Sequence, residues 1–126
     1  MPRVLIADDD SSTLVLVATA IEKLGWNVTR AGDGDELLAA IADHGPFDLL
    51  ITDVQMPWMT GLQVAHSVRT AGVATPVIVM TALQLEARKV ELLGRNTVLL
   101  RKPFRIAQLV AAAHQLLTSA RASDHS

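Results

Sequence analysis

The heptapeptide Val4–Asp10, VLIADDD, sets four consecutive apolar residues directly against three consecutive acids. An apolar run that short, with no polar alternation, fits a β-strand covered on both faces, as in a parallel sheet. Working outward, four more short runs rich in Val, Ile and Leu follow: Trp26–Val28, Asp48–Thr52, Val77–Met80 and Val98–Leu100. Helical spacing fills the gaps. Leu14, Val17, Ala18, Ile21 and Leu24 recur at intervals of three and one, and Gly25 supplies a stop. Ile106, Leu109, Val110, Ala113 and Leu117 repeat the pattern at the other end. Asp33 to Ala42, Gly61 to Ala71 and Gln84 to Leu93 supply three less regular segments.

The order is thus strand then helix, five times over. Strict alternation predicts parallel strands, right-handed crossovers and helices on both faces of one sheet. The expected fold class is α/β: a doubly wound, five-stranded, flavodoxin-like sandwich with five helices and strand order 2-1-3-4-5. Such sheets bind ligands at the carboxyl ends of the strands, where the order reverses. The small, polar tail 121–126 is expected to fray.

Bulk composition is that of one ordinary globular domain. The chain has 126 residues, half of them apolar and 19% charged, with a net charge of −2. Its 11 basic residues form no run, so direct nucleic-acid binding is not indicated. The absence of cysteine excludes disulfides, thiolate metal sites and thiol nucleophiles. No apolar stretch is long enough to span a membrane, and acid follows the first apolar run too soon for a secretion signal. A cytoplasmic location is the expectation.

The strand ends carry the chemistry. The first ends in Asp8-Asp9-Asp10, the third in Asp53, the fourth in Thr81 followed by Ala82, and the fifth in Arg101-Lys102-Pro103. Crowded carboxylates cannot all stay ionised uncompensated, so the site must hold a cation, raise a pKa, or both. An oxygen-only donor set suits Mg²⁺, with Mn²⁺ as an alternative. Asp53 is the candidate nucleophile toward phosphorus, with the Lys102 ammonium and the Thr81 hydroxyl available to phosphoryl oxygens. Ala82 is small and leaves the pocket open to a bulky donor. Taken alone, each motif has a plainer meaning. An acidic triplet before a helix caps it, and Asp10, with Ser11 and Ser12, is best read so. Lys102 alone is a surface charge, and Pro57 and Pro103 mark turns. Their conjunction at separate strand ends is what points to a site. His44, His66, His114 and His125 show no metal-ligand spacing. Met56 and Met59 are expected to pack at the sheet edge, with Trp58 partly exposed beside the site.

The segments ADDD, TDVQMPWMTG, MTA and RKPF, in that order and spacing, resemble the receiver domain of two-component response regulators. The resemblance covers essentially the whole chain and implies a receiver domain over residues 1–120. It implies that Asp53 takes a phosphoryl group from a histidine kinase or histidine phosphotransfer protein. It also implies that Asp8 and Asp9 hold Mg²⁺ together with Asp53 and the backbone carbonyl of Gln55, and that Thr81 and Lys102 are the assisting hydroxyl and lysine. The peptide before Pro103 is expected to be cis. Such a domain catalyses only its own phosphorylation and dephosphorylation, then switches the surface formed by the fourth helix, fifth strand and fifth helix toward a downstream partner or output domain.

The chain departs from that pattern in three places. Leu99 stands where receivers carry an aromatic switch residue, so the usual coupling of hydroxyl and ring cannot run in its ordinary form. Gly94-Arg95-Asn96-Thr97 replaces the usual small-residue stretch, and the fourth helical segment is the least apolar, which marks it as a candidate mobile element. Leu83, with Gln55, borders the path of an attacking water, and its apolar side chain predicts moderate-to-slow self-dephosphorylation. Two other functions compete with that reading. A haloacid dehalogenase-type phosphatase needs a second acid two residues after the nucleophile, where this chain has Gln55. A flavodoxin-like electron carrier needs a hydroxyl- and glycine-rich phosphate loop where this chain has three acids. Met1 and an ordinary start fit a native N-terminus. Both a stand-alone regulator and a receiver within a larger regulator or hybrid kinase fit, as does a weak homodimer through the last two helices.

Overall fold

The structure is a computed structural model, and it describes residues 2–53, 75–81 and 97–124, with side chains through residue 118. Five parallel strands form one sheet: β1 (Arg3–Ala7), β2 (Asn27–Ala31), β3 (Leu49–Asp53), β4 (Val77–Thr81) and β5 (Thr97–Arg101). Their order across the sheet is β2-β1-β3-β4-β5, the order expected of the flavodoxin-like class. Three helices are described: α1 (Ser11–Glu22), α2 (Gly34–His44) and α3 (Ile106–Asp124). The helical segments expected at 61–71 and 84–93 lie outside the described residues.

Side-chain alternation along the strands sorts the core into two layers. Val4 and Ile6, Leu49 and Ile51, and Ile78 and Met80 pack with Val17, Ala18 and Ile21 of α1 and Leu109 and Ala113 of α3. Leu5 and Ala7, Leu50, Val77 and Val79 pack on the other face with Leu37 and Ala40 of α2. Every residue of β3 and β4 is buried, which explains why those two strands lack a polar alternation. Each fully buried Ile, Leu or Val contributes about 1.5–3 kcal/mol. This apolar sandwich, rather than any ion pair, therefore holds the sheet together.

The elements end where local chemistry ends them. The Asp10 carboxylate accepts the Ser12 N–H and starts α1. Gly25, at φ 84°, turns the chain out of α1 in a left-handed conformation that other residues adopt only at a cost. Asp33 caps α2 by accepting the Glu36 N–H, and Glu36 reaches back to the Gly32 N–H.

Two boundaries differ from expectation. Strand β2 runs on past Val28 to Ala31, because Thr29 and Arg30 can sit on a half-exposed edge strand while pairing in full register with β1. Helix α3 continues to Asp124 through the tail expected to fray from Arg121, a stretch that includes the good helix formers Ala120 and Ala122.

Candidate functional site

The strands deliver three charged side chains to one face by simple period-two alternation. Asp8 extends the series Val4–Ile6, Asp53 the series Leu49–Ile51, and Lys102 the series Val98–Leu100, all on the α1/α3 side of the sheet. Strands β1 and β3 are neighbours although β2 intervenes in sequence. Asp8 and Asp53 therefore sit at the point where the strand order reverses, the crevice in which such sheets bind ligands.

The acidic triplet divides its labour. Asp8 is fully buried, and its Oδ1 accepts the Asp10 N–H at 2.9 Å while its Oδ2 accepts from Lys102 Nζ at 3.0 Å. Asp9 is exposed. Asp10 caps α1, accepting the Ser12 N–H at 3.1 Å and the Thr13 hydroxyl at 2.9 Å. The Thr13 and Ser12 hydrogen bonds hold its carboxyl below the ordinary aspartate value. One oxygen each from Asp8, Asp9 and Asp53 lies within 4.8 Å of the others. Lys102 Nζ also stands 3.4 Å from Asp53 Oδ2, so one ammonium touches two of the three carboxylates.

The electrostatics follow from burial and from that imbalance. Burial, reinforced by the charge of Asp53, pushes the Asp8 carboxyl above its ordinary value, against the opposing hydrogen bonds from Asp10 and Lys102. Burial works against the Lys102 ammonium, but the hydrogen bond and charge of Asp8 and the charge of Asp53 outweigh it and raise its pKa. The Lys102 ammonium pairs with Asp8 and Asp53, and Asp9 adds a third carboxylate to the cluster, so all three offer hard oxygen donors. That donor set fits Mg²⁺ or Mn²⁺, which take one or two protein carboxylates and keep positions for water or phosphoryl oxygens.

Of the residues singled out from the sequence, Asp8, Asp9, Asp53 and Lys102 come together. Thr81 is buried at the end of β4, and its carbonyl accepts the Lys102 N–H at 2.7 Å, which ties the lysine's backbone to that strand. The Lys102–Pro103 peptide is cis. Leu99 is half-buried on the opposite face, in the α2-side cluster. Gln55, Ala82 and Leu83, like Met56, Trp58 and Met59, lie outside the described residues. Two contributors were not singled out. The Thr13 hydroxyl steadies Asp10, and its position three residues after an Asp N-cap is the signal that could have found it. Phe104, with Thr13, Leu16 and Pro103, lines an apolar groove that opens beside Lys102.

Comparison with known proteins agrees with this architecture. The profile of the response regulator receiver domain family matches residues 4–114. The transcriptional regulatory protein TrcR of Mycobacterium tuberculosis is 36% identical over 124 residues, covering 98% of this chain and 47% of that protein. The solved receiver domain of Francisella response regulator 1452 is 32% identical, with a TM-score of 0.84 over 95% of this chain and 99% of that one. The chemotaxis response regulator CheY4 of Vibrio cholerae is 31% identical, with a TM-score of 0.81 over 92% of this chain and 98% of that one. The chain spans about half the length of the curated relatives it matches. No helix among the described residues is long and apolar enough to cross a membrane.

Proposed function

The chain belongs to the response regulator receiver domains, and from that premise we propose that Asp53 is its phosphoacceptor, taking the phosphoryl group of a phosphohistidine on a histidine kinase or phosphotransfer protein. One observation carries the reading. A single ammonium, Lys102 Nζ, lies 3.0 Å from Asp8 and 3.4 Å from Asp53 at the switch point of the sheet, beside the Asp9 carboxylate.

An Asp53 oxygen attacks phosphorus as the P–N bond to the donor imidazole breaks. The electron pair of that bond leaves with the ring, whose other nitrogen carries a proton, so neutral imidazole departs. The product is an acyl phosphate on Asp53. Reaction of this kind is mostly positioning and charge stabilisation, because the transferred group carries its charge on three equatorial oxygens. Lys102, already beside Asp53, neutralises one of them. The Thr81 hydroxyl is assigned a second. Asp8 and Asp9, with Asp53 and the carbonyl of Gln55, would hold Mg²⁺, which when bound supplies Lewis-acid stabilisation of phosphoryl charge. The groove lined by Thr13, Leu16, Lys102, Pro103 and Phe104 gives the donor protein a largely apolar surface, with the lysine as its charged group, next to the reacting carboxylate.

Because the chain covers about half of relatives such as TrcR, output is assigned to a partner or to a further domain, not to a second activity of this fold.

The test is direct. Incubation with Mg²⁺ and acetyl phosphate should add one phosphoryl group to the parent, read by intact mass, and none to Asp53→Asn. Equal labelling of that variant, or labelling undiminished in EDTA, would sink the assignment.

A further inference from the structure

We propose that Asp10 is a positioning residue for the divalent-cation pocket: its amide orients the Asp8 carboxylate, and its own carboxylate locks the backbone that carries Asp8 and Asp9. The proposal rests on the metal-dependent phosphoacceptor reading above and concerns how that site is kept in shape.

Both oxygens of the buried Asp8 carboxylate have donors, and the two donors differ in kind. Lys102 Nζ ends a flexible side chain that is 22% exposed. The Asp10 N–H is part of the backbone, 2.9 Å from Asp8 Oδ1, and it moves only if the loop moves. Where that amide points depends on the extended conformation of Asp10, φ −84° and ψ 107°. That conformation is held from the far side. The Asp10 side chain accepts the Ser12 N–H at 3.1 Å and the Thr13 hydroxyl at 2.9 Å. Its carbonyl takes the Leu14 N–H at 2.9 Å and begins α1.

Asp10 is therefore the joint between a rigid helix and a carboxylate pair. Asp9 has Asp8, fixed in the core, on one side and Asp10, fixed to α1, on the other. Its exposed side chain inherits its position from that short span. Loss of the cap frees the first turn of α1, and the freed turn releases both the Asp8 donor and the Asp9 backbone. The Asp10 carboxylate is already committed to the helix and is not one of the three grouped oxygens, so it acts through its neighbours. Groups that orient metal ligands in this way typically change metal affinity by about 10–100-fold.

The test is Mg²⁺ titration by calorimetry on the full chain, at a temperature well below the melting midpoint of every variant. Asp10→Ala should weaken Mg²⁺ binding roughly tenfold. Asp10→Asn, which keeps a capping oxygen, should stay within about threefold of the parent. Labelling by acetyl phosphate should separate the two possible defects. In Asp10→Ala the Mg²⁺ concentration needed should rise, while the rate at saturating Mg²⁺ returns to that of the parent. Unchanged Mg²⁺ affinity in Asp10→Ala overturns the positioning role. So does an Asn variant as weak as the Ala variant, which would assign the effect to charge. A labelling rate that stays low at saturating Mg²⁺ overturns it as well. A parent that binds no Mg²⁺ overturns the underlying metal site instead.

Discussion

Lys102 Nζ reaches Asp8 Oδ2 at 3.0 Å across 94 residues of sequence, joining the end of β5 to the end of β1. The same ammonium is 3.4 Å from Asp53, so it is the near counter-charge for two carboxylates at once. Lys102→Ala should therefore do two separable things. In EDTA it should lower unfolding free energy by about 1–3 kcal/mol, because a buried acceptor loses its charged donor. With Mg²⁺ present, the rate of labelling by acetyl phosphate should fall on the order of 100-fold, the usual cost of removing one pre-placed group from developing charge. Urea unfolding and timed intact-mass measurements check the two parts independently.

Asp8→Asn is expected to stabilise the metal-free protein while disabling it. Burial holds the Asp8 carboxyl above its ordinary value of 3.8, so the folded state binds a proton more tightly than the unfolded chain. Stability from this group is then greatest in acid and falls as pH rises from 3.8 through the raised folded value. At neutral pH the ionised carboxylate is a net cost in the absence of metal. Asparagine keeps an oxygen for the Asp10 N–H and carries no charge. The variant should melt above the parent at pH 7 in EDTA, and the gap should narrow toward pH 4.5. It should also lose Mg²⁺ binding. A variant that melts below the parent at pH 7 would show that the Lys102 pair outweighs the burial penalty.

These opposing demands explain how much of the molecule was legible beforehand. The buried runs of β3 and β4 announce themselves because both faces must be apolar. Strand β2 was legible only in part, since Thr29 and Arg30 satisfy an edge strand without an apolar pattern. Asp8, Asp53 and Lys102 were legible only together, because each alone has a plain structural use and it is their conjunction at the ends of separate strands that marks a site. The division within Asp8-Asp9-Asp10 was harder to read. Three identical residues take buried, exposed and capping roles according to backbone direction, which composition does not encode. The cap on Asp10 could be argued from the helix that follows. The amide it gives to Asp8 could not, because that bond depends on the exact path of the turn.

Leu99 tests whether the two faces of the sheet act separately. It pairs in register with Val79 and packs, half-buried, among the α2-side residues, away from the face that carries Asp8, Asp53 and Lys102. Leu99→Ala should cost about 1–3 kcal/mol, toward the low end of the range for fully buried leucines because the side chain is only half-buried. The initial rate of labelling at Asp53 should stay within about twofold of the parent, because a change of this kind acts on packing rather than on charge at the site. Guanidinium unfolding and acetyl phosphate labelling measure the two. A large loss of labelling would mean that the repacked face reaches the acceptor.

Mg²⁺ itself should be a stabiliser whose effect tracks the carboxylates it uses. A cation that binds only the folded chain raises stability by about 2.7 kcal/mol at 100 times its dissociation constant. In the folded protein Asp8, Asp9 and Asp53 offer oxygens within 4.8 Å of one another. In the unfolded chain Asp53 is separated from the other two by more than forty residues of sequence, so the unfolded state cannot hold the same site. The melting midpoint should rise with Mg²⁺ in the parent and rise little in Asp9→Asn, which removes an exposed ligand without disturbing the core. Sodium chloride at equal ionic strength should not reproduce the shift, because screening acts on all three carboxylates but coordinates none. If it does, the stabilisation is general relief of repulsion, and the three carboxylates are a charged rim instead of a metal site.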